Sequence, residues 1–150
     1  MDPEVLEVQA TVLDHVIRDS QKFLREAQIK RVCVVGAIKT RLMGRRTWAG
    51  DRRNDGAWPA EIIVDRLAAS GWNVLPAKDC ELDAGRWVST QTGEEVAIAS
   101  AAGIEWESDE TVFVEAGLAV SRSDSFKYLC TVDRTATGWT IRECESGRAD

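Results

Sequence analysis

A chain of 150 residues that is 44% hydrophobic has the length for one domain and the apolar content for a core that needs no metal or disulfide staple. Its net charge of −6 excludes a general nucleic-acid binder, because affinity for a phosphate backbone needs an excess of Lys and Arg on one face. No apolar run approaches membrane-spanning length, and Met1–Glu7, with Asp2, Glu4 and Glu7, lacks the basic start and apolar stretch of a secretory signal, so the expectation is a cytoplasmic protein that engages neither nucleic acid nor membrane.

Asp2 before Pro3 supplies an N-cap and a first-turn proline, and Glu4 and Glu7 suit the positive end of a helix dipole. Val5, Val8, Val12, Leu13, Val16, Ile17, Phe23, Leu24 and Ala27 keep three-four spacing, which predicts a core-packing helix to about Gln28. On its margin His15 and Asp19 are four apart and can meet as a hydrogen-bonded pair, either at the surface or as a catalytic dyad. The β-branched run RVCVVGAI (31–38) predicts a strand buried on both faces, with Gly36 as a bulge.

Residues 39–58 break all periodicity. They hold six cations against Asp51 and Asp55, a local +4 that leaves −10 for the rest of the −6 chain. A segment this long without regular structure is either a solvated loop or a binding loop. In the second reading Arg45, Arg46, Trp48, Arg52, Arg53 and Trp58 form a ligand site, with guanidinium forks and indole faces that recognise a carboxylate, a phosphate or an aromatic group.

Pro59–Ser70 predicts a second helix ending at Gly71, Trp72–Pro76 an extended segment, and 77–85 an acidic connection. Arg86–Thr90 and Glu95–Ser100 are expected to pair across Gly93, and Ile104 and Trp106 to lie on a short strand. The long strand is Val112–Val120, where Val112, Val114, Ala116, Leu118 and Val120 alternate. Its other side, Phe113, Glu115, Gly117 and Ala119, carries one charge and is expected to be partly covered. Ser121–Ser125 turns the chain, Phe126–Val132 alternates again, and a further turn at Thr135–Gly138 leads into a strand to about Cys144, with a frayed tail beyond. Leu13, Val16, Ile17, Ile63, Leu67, Val114, Leu118, Val132 and Ile141 are expected to share one core.

The last hairpin has two candidate registers. One sets Val132 opposite Ile141 and Leu129 opposite Cys144, matching apolar to apolar. The other sets Val132 opposite Arg142 and Cys130 opposite Cys144, which permits a disulfide. The first is preferred, so Cys130 and Cys144 are expected to be unpaired, and all four cysteines, Cys33 and Cys80 included, are expected as free buried thiols. They form no C-x-x-C pair, and with His15 as the only histidine no zinc spacing exists.

The amphipathic N-terminal helix followed by VFVEAGLAV, KYLCTVDR and GWTIREC resembles the nuclear transport factor two-like superfamily of cystatin-like α+β cones. That resemblance implies α+β architecture with N-terminal helices packed on a curved, mainly antiparallel, cone-like sheet around an apolar pocket. It carries over no catalytic residue, metal or cofactor. The expected function is a noncatalytic domain that binds a small molecule or a partner protein. Two alternatives stand beside it: a cofactor-independent lyase, isomerase or hydrolase using buried carboxylates, with Asp19 beside His15, and an interaction module that forms a homodimer through its sheet face or takes an acidic partner on the arginine-rich loop.

Overall fold

The computed structural model describes residues 2–36 and 58–149. Its first element, α1 (Pro3–Asp19), begins as its capping residues dictate, with the Asp2 carboxylate accepting the Glu4 amide N–H at 2.9 Å. Val5, Val8, Val12, Leu13, Val16 and Ile17 are buried along one side. The helical spacing continues past Asp19 but the helix does not. The Ser20 hydroxyl donates back to the Ile17 carbonyl, and a short α2 (Gln21–Glu26) follows at a break. A serine that bonds its own backbone competes with the helix ladder, and apolar periodicity does not register that competition.

Strand β1 (Val32–Val35) lies between two parallel neighbours, β2 (Val74–Pro76) and β5 (Ala97–Trp106). Val32, Cys33 and Val34 are all buried, as the unbroken apolar run requires of a strand covered on both faces. Helix α3 (Ala60–Ala69) precedes β2, buries Ile63 and Leu67, and ends before Gly71, whose φ of +96° suits glycine. Gly36 is not a bulge: a Cβ there would collide with the Trp58 carbonyl and the Ala60 amide, so its role is close backbone approach.

The acidic connection is itself a strand. A single 3-10 turn at Ala77–Asp79 leads into β3 (Cys80–Asp83), and Ala84 and Gly85, both at positive φ, turn the chain into β4 (Arg86–Ser89). The two strands pair with each other along their whole length. The expected pairing of Arg86–Thr90 with Glu95–Ser100 is reduced to one bridge, Val88 with Glu95. Two central turn residues at positive φ match the twist of a tight hairpin, and that favours β3 as the partner of β4.

From Ala97 onward the chain is an antiparallel meander of β5, β6 (Thr111–Ser121), β7 (Asp124–Thr135) and β8 (Gly138–Ala149). Val112, Val114, Ala116, Leu118 and Val120 are buried in β6 as their alternation predicts. The polar C-terminal residues are paired rather than frayed, since β8 continues opposite β7 to Ala149. In the last hairpin Val132 faces Ile141, yet Cys130 faces Cys144, because the register shifts between them. Each candidate register is therefore right for half of the strand.

The sheet is large, open and mixed, running β2-β1-β5-β6-β7-β8, with β4 meeting β6 only at Arg86 and Ser121. The helices cover one face. The nine expected core residues belong to a single cluster there, with Ile141 packed against its margin and Leu13, Ile17 and Leu118 almost wholly excluded from solvent. A second, smaller cluster of Cys33, Leu75 and Val96 lies apart, packed by Trp87 and Ile98. The free-thiol expectation is overturned, since Cys33 is bridged to Cys80 and Cys130 to Cys144. The parallel pairing of β2 with β1 and the single 3-10 turn after β2 leave Cys80 beside β1, and the register shift in β8 brings Cys144 opposite Cys130.

Candidate binding face

Among the described residues no element packs over the face of the meander away from the helices, and the β3–β4 hairpin meets β6 only at Arg86 and Ser121. Strand alternation sends Phe113, Glu115 and Gly117 to this outer side while Val112, Val114 and Ala116 point to the core. Register then assembles two rows across four strands. One row is Gly103, Glu115, Leu129 and Glu145; the next is Glu105, Phe113, Thr131 and Glu143. At about 4.8 Å between strands, each row is roughly 14 Å long.

These residues line an open concavity of about 420 Å³. Phe113 is 40% and Leu129 48% exposed at its centre, so the partial cover expected over this side of β6 does not reach them. Gly103 leaves room for its neighbour, because a Cβ there would stand 3.0 Å from the Glu115 Cβ. The Glu115 carboxylate is 2.6 Å from the Lys127 Nζ. Among the described residues Glu105 and Glu145 make no ion pair, while the charge of Glu143 acts on the neighbouring Arg142, whose guanidinium is held mainly by Asp133. At one end the Arg142 Nε and Nη2 donate to Asp133 at 2.7 and 2.8 Å, and the Thr111 hydroxyl donates to the same carboxylate at 2.9 Å. The Arg142 bond leads in holding the Asp133 carboxyl below the usual carboxylate range.

Of the residues singled out by sequence, Arg45, Arg46, Trp48, Arg52 and Arg53 lie outside the described residues. Trp58 is partly buried against the main core, where its amide N–H donates to the Gln9 Oε1 at 2.9 Å and its indole N–H to the Asp2 carbonyl at 2.7 Å. Its polar groups fasten the start of α3 to α1. Asp19 does not bond to His15 but accepts the Tyr128 hydroxyl at 2.9 Å, while His15 meets the Tyr128 ring edge-on at 6.3 Å between centroids. Burial, and then the bond to Asp19, raises the Tyr128 phenol above the ordinary tyrosine range. The group is a protonated clamp between α1 and β7 rather than an acid–base pair.

Sequence reasoning missed the face because its members come from four strands and two registers. The signal it held was the sparse charge on the outer side of β6. No protein-family model matches this chain, and no curated protein or solved structure matches it either.

Proposed function

We propose that this is a noncatalytic partner-binding domain whose outer sheet face takes a basic protein segment carrying an apolar side chain. The observation that supports it is the placement of Phe113 and Leu129, both largely exposed, in one concavity with Glu105, Glu115, Glu143 and Glu145. Apolar area at the centre supplies the driving force, and the carboxylates select a cationic rim. The concavity is open, which suits an extended segment better than an enclosed small molecule. Homodimerisation through this face is disfavoured, since a twofold axis would set carboxylates against carboxylates.

The cone-like pocket and the superfamily resemblance remain expectations, and an apolar pocket would have to open within the packed layer around Leu13, Ile17 and Leu118. Cytoplasmic residence is disfavoured, because two bridges between all four cysteines suit an oxidising compartment.

The test is calorimetric titration with a seven-residue peptide alternating arginine with leucine and phenylalanine. Saturable binding is expected, lost in Phe113→Ala/Leu129→Ala and weakened in Glu105→Gln/Glu143→Gln/Glu145→Gln. Equal affinity in all three proteins, or preference for a peptide with glutamate in place of arginine, would remove this face from the functional account.

A further inference from the structure

Strand β8 holds one more residue than β7 can pair. Up to Ile141 the partners follow the turn, Arg134 with Trp139 and Val132 with Ile141. Beyond it they are Thr131 with Glu143, Cys130 with Cys144 and Leu129 with Glu145. Arg142 is the bulged residue. Side chains alternate along a strand, so one inserted residue inverts the side taken by every residue that follows.

The consequence falls on the binding face. A β8 that continued without a bulge from Ile141 would turn Glu143 and Glu145 toward the helices and set Cys144 opposite Leu129 on the outer side. With the bulge, Cys144 is on the helix side beside Cys130 and both glutamates face outward. The two arrangements are alternatives that each satisfy part of the strand. The unbulged one recovers the pairing lost at Arg142 and matches Leu129 with Cys144. Its drawback is to turn Glu143 and Glu145 inward, opposite Cys130 and the buried Tyr128, but β8 is an edge strand, and Cys144 is itself only partly buried there. The Arg142 fork on Asp133 does not decide between them, because Arg142 would lie on the outer side in both. Two contacts belong to the bulged register alone: the exposed Arg148 guanidinium lies 5.6 Å from the centroid of the Phe126 ring near the far end of β8, and the disulfide, the covalent one, joins Cys130 to Cys144 with Cα atoms 4.0 Å apart.

We infer that Cys130 and Cys144 are positioning residues that lock β8 in the bulged register and so place Glu143 and Glu145 in the acidic rows. The consequence for binding rests on the proposed basic partner; the register itself does not.

The test compares wild-type protein, Cys130→Ala/Cys144→Ala, and that pair combined with deletion of Arg142. Deletion removes the extra residue, so the outward phase of both glutamates is restored without a bridge. Cross-strand α-proton contacts by NMR report the register, and the arginine–leucine–phenylalanine peptide reports the face. In the alanine pair, residue 144 should exchange residue 130 for residue 129 as its neighbour, with affinity falling about tenfold, the effect of losing two exposed charge pairs. The deletion should restore both readouts. An alanine pair that keeps residue 130 opposite residue 144 would overturn the inference, as would a deletion that fails to restore that pairing. Should the alanine pair not fold, Cys130→Val/Cys144→Thr, closer in volume, carries the same comparison. A wild type that ignores the peptide while the register still shifts would count against the proposed partner and not against the lock.

Discussion

The Tyr128 hydroxyl is buried in the core layer and donates to an Asp19 carboxylate that is itself exposed. Because the folded phenol titrates above its unfolded value, the clamp's contribution is complete below about pH 10 and declines as pH rises beyond that value. Tyr128→Phe should lower stability by about 1 kcal/mol at neutral pH and abolish this alkaline decline. Urea unfolding from pH 7 to pH 11 measures both, and equal alkaline losses in the two proteins would contradict the assignment. At this scale the sequence was only partly legible. The i,i+4 spacing brought His15 and Asp19 within reach of each other, but a tyrosine more than a hundred positions away took the carboxylate. Trp58 had the exposed indole of a binding loop by composition, yet hydrogen bonds to Gln9 and Asp2 fix it as a strut.

Alternation made β6 readable, because five apolar residues at every second position have one way to be buried. Leu118→Ala should therefore cost about 2–5 kcal/mol, measured by chemical denaturation, and a cost below about half a kcal/mol would be inconsistent with its 1% exposure. Strand β3 was hidden for the opposite reason. CELD offers little alternating burial, and its partner was fixed by the Ala84–Gly85 turn rather than by its own side chains. The β7–β8 hairpin is instructive because both candidate registers occur in it. Residues near the turn obey apolar matching, those near the end obey the cysteines, and one residue between them absorbs the difference. Mass spectrometry of unreduced, alkylated protein should find no modified cysteine. In the chain-entropy account, the bridge closing 47 residues between Cys33 and Cys80 contributes about 4 kcal/mol, and the 14-residue Cys130–Cys144 loop about 3. Cys33→Ala/Cys80→Ala should thus lower the urea midpoint more than Cys130→Ala/Cys144→Ala, and the reverse order would point to native-state packing as the larger effect.

At the scale of the molecule, charge is divided between the segment at 39–58 and an otherwise acidic chain. Attraction of a basic peptide to exposed carboxylates should weaken as salt shortens the Debye length from about 10 Å at 0.1 M to about 3 Å at 1 M. Apolar contact with Phe113 and Leu129 should leave a salt-resistant remainder, so affinity is expected to fall and then level off. Affinity that does not change with salt would deny the carboxylates a part in recognition.

The sheet also joins two kinds of pairing that differ in how far the chain must travel. β6, β7 and β8 each meet the strand next to them in sequence, whereas β1 must find β5, with Val32 opposite Ala97. Closing so long a loop costs entropy before any contact repays it. The meander should accordingly form the folding nucleus, and the parallel β2-β1-β5 half should dock late. With the bridges intact, Val112→Ala is expected to slow refolding, while Val34→Ala mainly speeds unfolding. A φ-value near one at Val34 would reverse that order. A late-docking parallel half would also be the first part of the sheet to open in native-state hydrogen exchange, leaving the meander and its outer face assembled while the other edge breathes.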